Sequence, residues 1–230
     1  GMVALRQADL IFQLGEQLPA AVLGAASAQS VRLVVGISDG LPKLVVQRLL
    51  QPVLNEPGLR LQCHEGEFDD LLADLALHRL DVVLSDRGAP PNPNLKLYSH
   101  SLGSAPVAWY APPALAAQAA KDFPQSLGSV PLLLPTAHAA IRMRLDQWFE
   151  REGIHPQVVG EFEDSALLKT FGSAGMGVFP AADLMHKELT SRYNVKRIGT
   201  LSGIEEHFFA IGTARKVLHP LVQKIVPVRG

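Results

Sequence analysis

The chain has 230 residues, with 21 Lys and Arg against 22 Asp and Glu and a net charge of -1. That balance argues against a nucleic-acid-binding surface on these residues, because phosphate binding rests on clustered basic side chains. Apolar residues make up 47% and charged ones only 19%, which supplies a core for one large domain or two small ones and excludes a disordered tail.

Residues 4–23 read as a helix with Ala4, Ala8, Ile11, Leu14, Leu18 and Val22 along one stripe, weakened by Gly15 and Pro19. Gly24 to Gln29, made of small residues, reads as a hinge. Val31 to Ile37 is short and β-branched, which predicts a buried strand. Ser38-Asp39-Gly40 ends it, and Leu41, Leu44, Val45, Leu49 and Val53 then recur at helical spacing. The unit repeats: Leu59 to His64 as strand, Gly66-Glu67 as turn, and Phe68, Leu71, Leu72, Leu75 and Ala76 as one helix face. Asp81 to Ser85 is a third strand, and connections this short imply parallel β-α-β units. Gly88 to Asn94 is an exposed loop.

Leu95 to Ser101 and Pro106 to Ala111 are expected as two strands around Gly103-Ser104, with a small-residue helix over 113–122. Leu132 to Thr136 is a strand and turn, and Ile141, Leu145, Trp148 and Phe149 define a helix closed by Gly153. Val158 to Phe162 is a strand, and Asp164 caps a helix carrying Leu167, Leu168 and Phe171. Val195 to Ile198 and Glu206 to Ile211 are late strands, and Val217, Leu218, Leu221, Val222 and Ile225 form a terminal helix face.

A nucleophile with its base, a metal cluster or a tuned carboxylate pair is not recognisable in any motif. Gly172 to Gly177 follows a helix and precedes a strand, the reverse of a dinucleotide site, and reads as a helix stop. The eight histidines have no metal-ligand spacing, and the single Cys63 excludes an internal disulfide and a multi-thiolate zinc site. No catalytic residue, cofactor or metal is expected, and a reducing cytoplasm suits the cysteine count. No apolar run is long enough to span a bilayer, so no membrane partner is expected. Position is the better guide, since ligands of parallel sheets bind beyond the carboxyl ends of strands. Four turns qualify: Ser38-Asp39, Gly66-Glu67, Pro135-Thr136-Ala137 and Phe162-Glu163-Asp164. They mark Ser38, Asp39, Glu67, Thr136, Ala137 and Phe162 as candidate effector-binding residues. Two turns in each half would form a cleft.

Arg32-Leu33-Val34-Val35-Gly36-Ile37-Ser38, followed by Leu59-Arg60-Leu61-Gln62, Glu65-Gly66 and Leu80-Asp81-Val82-Val83-Leu84, resembles the effector-binding part of LysR-type transcriptional regulators. Gly160-Glu161-Phe162-Glu163-Asp164, Ala166 to Lys169, Phe171-Gly172, His78 to Asp81 and Leu84-Ser85-Asp86 are similar to the branch that activates sodium/proton antiporter genes. The resemblance implies an α/β fold of the periplasmic-binding-protein type 2, two Rossmann-like subdomains with a cleft between them, preceded by part of a linker helix. By that likeness residues 2–29 end the linker helix and hinge, 31–97 with 200–230 form subdomain I, and 98–199 form subdomain II. A winged helix-turn-helix is expected upstream of Gly1-Met2, which reads as a tag scar and junction, and DNA contact would run only through it.

The family holds small effectors in the interdomain cleft with residues matching Ser38, Glu67, Thr136 and Phe162. Glu67 departs from aromatic-acid sensors, which place a hydroxyl residue there. Asp39 and Glu67, expected at helix starts, and Glu161 and Glu163 opposite would disfavour a carboxylate and favour a cation or amine. The competing reading makes Asp39 and Glu67 helix caps that project into solvent. A homodimer or tetramer is expected, from the family and from an exposed apolar stripe on the helix at 41–54. A transporter's solute-binding protein is the alternative function, and an enzyme on the same fold is a third class.

Overall fold

The computed structural model describes residues 30–92, 96–213 and 219–226. The expected linker helix and hinge, residues 2–29, lie outside them. Among the described residues are eight strands and seven α-helices. In chain order they are β1 (Val31–Ser38), α1 (Lys43–Leu50), β2 (Leu59–Gly66), α2 (Phe68–Ala76), β3 (Val82–Ser85) and β4 (Tyr98–Ala111). There follow α3 (Pro113–Ala119), β5 (Pro131–Pro135), α4 (Ala140–Glu152), β6 (Gln157–Phe162), α5 (Ser165–Ser173) and β7 (Phe179–Ala182). The last three are α6 (His186–Tyr193), β8 (Lys196–Gly212) and α7 (Pro220–Ile225).

β-Branched and leucine side chains with no polar alternation put β1 and β3 in the interior, and Leu33, Val34, Val35, Val82, Val83 and Leu84 are all buried. β1 pairs in parallel with β2 and β3, and β3 pairs antiparallel with β8. The six-stranded sheet runs β2-β1-β3-β8-β4-β7. β5 and β6 form a parallel pair. It joins the larger sheet where Leu132 bridges Val178, just before β7.

Two long strands connect the halves. β4 was expected as two strands and is one, with register shifts after Ser101 and Pro106 that absorb Gly103 and Pro106 without ending the ladder. The two late strands likewise merge into β8. Residues 98–106 of β4 pair with 205–212 of β8, while 108–111 pair with 196–200. The same two strands therefore lie beside β3 at one end and beside β7 at the other.

α1 does not expose an apolar stripe. Val45, Val46 and Leu50 are buried with Leu41 and Val53, so this face packs the core and is not free for a second copy. Among the described residues the exposed large apolar side chains lie elsewhere: Leu77, Met143, Val158 and Val159 of β6, and Leu167, Phe171 and Met176 in and after α5. α6 was not anticipated because only Leu189 of its eight residues is buried, too little apolar signal for periodicity to register. Of the expected terminal helix face, Leu221, Val222 and Ile225 are buried on α7, and Val217 and Leu218 lie outside the described residues.

Close packing explains two glycines. A Cβ on Gly36 would lie 2.7 Å from Leu80 Cδ1, and one on Gly172 would lie 2.1 Å from the Phe179 ring. Gly172 thus lets α5 sit against β7, which makes the glycine-rich segment a packing feature.

Candidate functional site

β1 and β2 end in register, Ser38 opposite Gly66, so Ser38, Asp39 and Glu67 emerge together at their carboxyl ends. β5 and β6 end the same way, Pro135 opposite Phe162, and deliver Thr136, Ala137, His138 and Glu163. The two sets meet: His138 Nδ1 lies 3.7 Å from Glu67 Oε2 and 3.8 Å from Glu163 Oε1. Lys43 Nζ spans the same divide, 2.5 Å from Glu65 and 3.6 Å from Asp164.

Ser38 is 2% exposed and its Oγ has no hydrogen-bond partner. Thr136 donates its N–H to the Phe162 carbonyl at 3.0 Å and accepts from the Ala139 N–H, while its buried Oγ1 has no partner. A buried hydroxyl left unsatisfied costs about 1–3 kcal/mol. Both hydroxyls sit at the carboxyl ends of strands, Ser38 at the end of β1 and Thr136 just past β5. Ala137 and His138 form the turn between Thr136 and Ala139, and the half-buried Phe162 ring packs 5.2 Å from Phe171.

Asp39 is not at a helix start. Pro42 occupies the cap position of α1, because its fixed φ of -63° leads into the first turn. Burial, then Glu67, raises the pKa of Asp39, against the pull of Lys43. Glu67 occupies the cap position of α2, but its side chain makes no capping hydrogen bond. Neither acid is therefore a side-chain cap. Asp164 is one, accepting from the N–H groups of Ala166 and Leu167. These bonds and Lys43 hold its carboxyl below the ordinary range despite partial burial. Glu161 pairs with Arg142, which also donates to the Pro135 carbonyl at 2.8 Å. Of the acids expected to converge, Asp39, Glu67 and Glu163 do so and Glu161 does not.

Sequence reasoning missed several side chains here. Asp86, 8% exposed and just past β3, accepts from the Ala140 N–H at 2.7 Å. It caps α4 from the other half of the molecule, where Ala139 has no side chain able to do so. Gly40 makes room for it, since a Cβ there would lie 2.9 Å from Asp86 Oδ2. Arg87, stacked 4.9 Å over the Phe68 ring, donates to the His138 carbonyl at 2.6 Å. Beneath the strand ends, Gly40, Pro42, Phe162, Glu163, Lys169 and Glu206 line a small cavity of about 40 Å³.

Lys169 is 5% exposed, and burial depresses its ammonium pKa while Glu206 opposes the shift. Burial pushes the Glu206 carboxyl up to about 7, against the stabilising charge of Lys169. A signal for Lys169 was present, because Ser165, Leu168, Lys169 and Gly172 share one face of α5. None existed for His138, whose neighbours are brought to it from other strand ends.

A family model described as the LysR substrate binding domain matches residues 26–226. The chain is 29% identical over 230 residues to the transcriptional activator protein NhaR of Escherichia coli (strain K12), covering 98% of this chain and 74% of that protein. Among solved structures it is similar to full-length CbnR complexed with its target DNA, with a TM-score of 0.69, 18% identity, and coverage of 98% of this chain and 78% of that one. It is also similar to the effector binding domain of QuiR in complex with shikimate, with a TM-score of 0.61, 14% identity, and coverage of 85% and 93%.

Proposed function

The chain belongs to the LysR substrate-binding-domain family, and we propose that it senses its effector between the facing strand ends, with Ser38, Asp39, Glu67, Thr136, Ala137 and Phe162 as binding residues. As a LysR-type effector-binding domain it is part of a transcription regulator, and the solute-binding alternative finds no support. The observation that carries the site is the pair of buried, unpartnered hydroxyls, Ser38 Oγ and Thr136 Oγ1, on opposite sides of the cleft. A ligand that satisfied both would hold the two sides together, and binding would bias one arrangement of the halves over another, as allosteric coupling requires.

Asp39, Glu67 and Glu163 around these hydroxyls favour a cation or an amine over a carboxylate. In this reading residues 31–97 with 200–230 and residues 98–199 act as the two sensing subdomains. The regulated gene is that of a sodium/proton antiporter, following the similarity to NhaR. The protein works in the cytoplasm as a homodimer or tetramer, without catalytic turnover. Among the described residues no helix is long and apolar enough to cross a membrane. The exposed apolar group at Val158, Val159, Leu167, Phe171 and Met176 supports self-association. Only monomers in sedimentation at micromolar concentrations would remove that part. DNA contact belongs to a separate helix-turn-helix, so these residues alone should show no specific gel-shift binding at physiological salt.

A thermal-shift screen of cations, amines and small carboxylates tests the site. A true effector at 100 times its Kd stabilises by about 2.7 kcal/mol. Ser38→Ala and Thr136→Val should each abolish that response while the protein still folds. A tightly bound carboxylate with cation responses unchanged in Glu67→Gln and Asp39→Asn would reject the cation reading.

A further inference from the structure

Glu67 comes from the end of β2, His138 from the turn after β5, and Glu163 from the residue after β6. One ligand atom from each lies within 4.8 Å of the other two. We propose that these three side chains form a binding site for a divalent metal ion of the zinc class, which ties the first half of the molecule to the second. The latching role rests on the cleft reading above; metal binding itself stands independently of the effector.

The geometry is close to what such an ion needs. Around a tetrahedral ion with bonds of about 2.1 Å, ligand atoms stand about 3.4 Å apart. His138 Nδ1 is 3.7 Å from Glu67 Oε2 and 3.8 Å from Glu163 Oε1, and the two carboxylates offer oxygens within 4.8 Å of each other, so side-chain shifts of up to about 1.4 Å complete the set. All three side chains are exposed, which leaves them free to make those shifts. The His138 turn is held from outside the cluster by Arg87, which donates to its carbonyl at 2.6 Å, and by the Ala139 N–H bonded to the Thr136 carbonyl. Support of this kind fixes the direction from which a ligand atom approaches.

The donor set selects the metal. Imidazole with two carboxylates suits zinc and its first-row neighbours, whereas magnesium and sodium prefer all-oxygen shells and bind imidazole poorly. Two carboxylates also balance the charge of a divalent ion. Three protein ligands leave a fourth position open, as in sites that accept an exchangeable donor. That position opens on a groove of about 980 Å³, open solvent included, lined by Glu67, Phe68, Asp69, Asp70, Arg87 and His138 among others. Because Glu67 lies on one side of the cleft and His138 and Glu163 on the other, the ion binds all three only when the halves are together, and so favours that state.

Zinc sulfate titrated into the protein and followed by calorimetry tests the assignment. One saturable site is expected, unaffected by a large excess of magnesium or sodium chloride and retained in Cys63→Ser, which removes the exposed thiol. His138→Ala, Glu163→Gln and Glu67→Gln should each weaken zinc at least about tenfold, with unchanged circular dichroism. Absence of saturable zinc binding, or zinc bound equally well by all three variants, overturns the proposal. Neither result touches the effector reading, which is decided by the Ser38 and Thr136 variants in the thermal-shift screen.

Discussion

The two halves of the molecule share a strand order and differ in filling. The first runs β2-β1-β3-β8-β4; the second runs β6-β5, then Val178 and β7, then β4-β8. Beneath the first, Val34, Leu71, Leu72, Leu75, Leu80 and Val83 make a mainly aliphatic layer at α2, with Phe68 as its one buried ring. Beneath the second, Trp109, Trp148 and Phe149 supply an aromatic one, with ring centroids 5.9 Å apart for Trp109 and Phe149 and 5.3 Å for Trp148 and Phe149. The strand ends differ as well: both carry acids, Asp39 and Glu67 in the first half and Glu163 and Asp164 in the second, but only the second adds an imidazole, His138, and an aromatic ring, Phe162. One frame thus places two chemically different rims against each other, and a ligand between them meets both. A third buried cluster runs through both halves, from Leu33 and Val45 to Leu133 and Phe179.

If β4 and β8 and that shared cluster make the halves one cooperative unit, a cavity in either must unfold both. Trp109→Ala removes a fully buried indole and should cost about 3–5 kcal/mol, while Leu75→Ala across the molecule should cost about 2–5 kcal/mol. Both should show one urea transition by fluorescence and circular dichroism alike. Two separated transitions in either variant would mean that the halves fold independently.

Glu206 sharpens the comparison at the seam. Burial raises its pKa from the ordinary 4.5 to about 7, so the native state keeps a proton that the unfolded chain releases. Stability should therefore fall as pH rises from 4.5 to about 7 and level off above that. Replacing it by Gln should flatten this slope and stabilise the protein at pH 8 by about 1–3 kcal/mol, allowing for partial solvent access. Urea unfolding at pH 5 and pH 8 measures both quantities, and an unchanged slope would reject the assignment.

Asp86→Ala removes the cap that one half supplies to the other and should cost about 1–2 kcal/mol, read by the same unfolding. The smallest contrast sets two cap positions side by side. Asp164→Ala should cost about 1 kcal/mol, since its carboxylate bonds two N–H groups, whereas Glu67→Gln should stay within about 0.5 kcal/mol. An equal loss in both would restore Glu67 to a capping role.

Much of this architecture was legible in order along the chain. The β-branched runs of β1 and β3, the leucine run of β5, the stripe of α2 and the Asp164 cap follow from side-chain shape and period, which act over a few residues. The turns Ser38-Asp39, Gly66-Glu67 and Thr136-Ala137 could be located for the same reason, because a strand end is a local event. The merging of predicted strands into β4 and β8 was not legible, since bulges at Ser101 and Pro106 are tolerated only through the pairing of the partner strand.

Which acids face the cleft was also beyond the sequence. Glu161 and Glu163 are two residues apart on a strand and its exit, yet one joins Arg142 and the other approaches His138. Asp86 capping α4 and Glu67 meeting His138 both need two loops delivered to one point by separate strands. The sequence by itself determined most of the elements and the four strand-end turns, because propensity and hydrophobic period are short-range. Only the tertiary structure decided which side chains share a site, because hydrogen bonds and ligand geometry depend on distances that chain folding alone brings to a few ångströms.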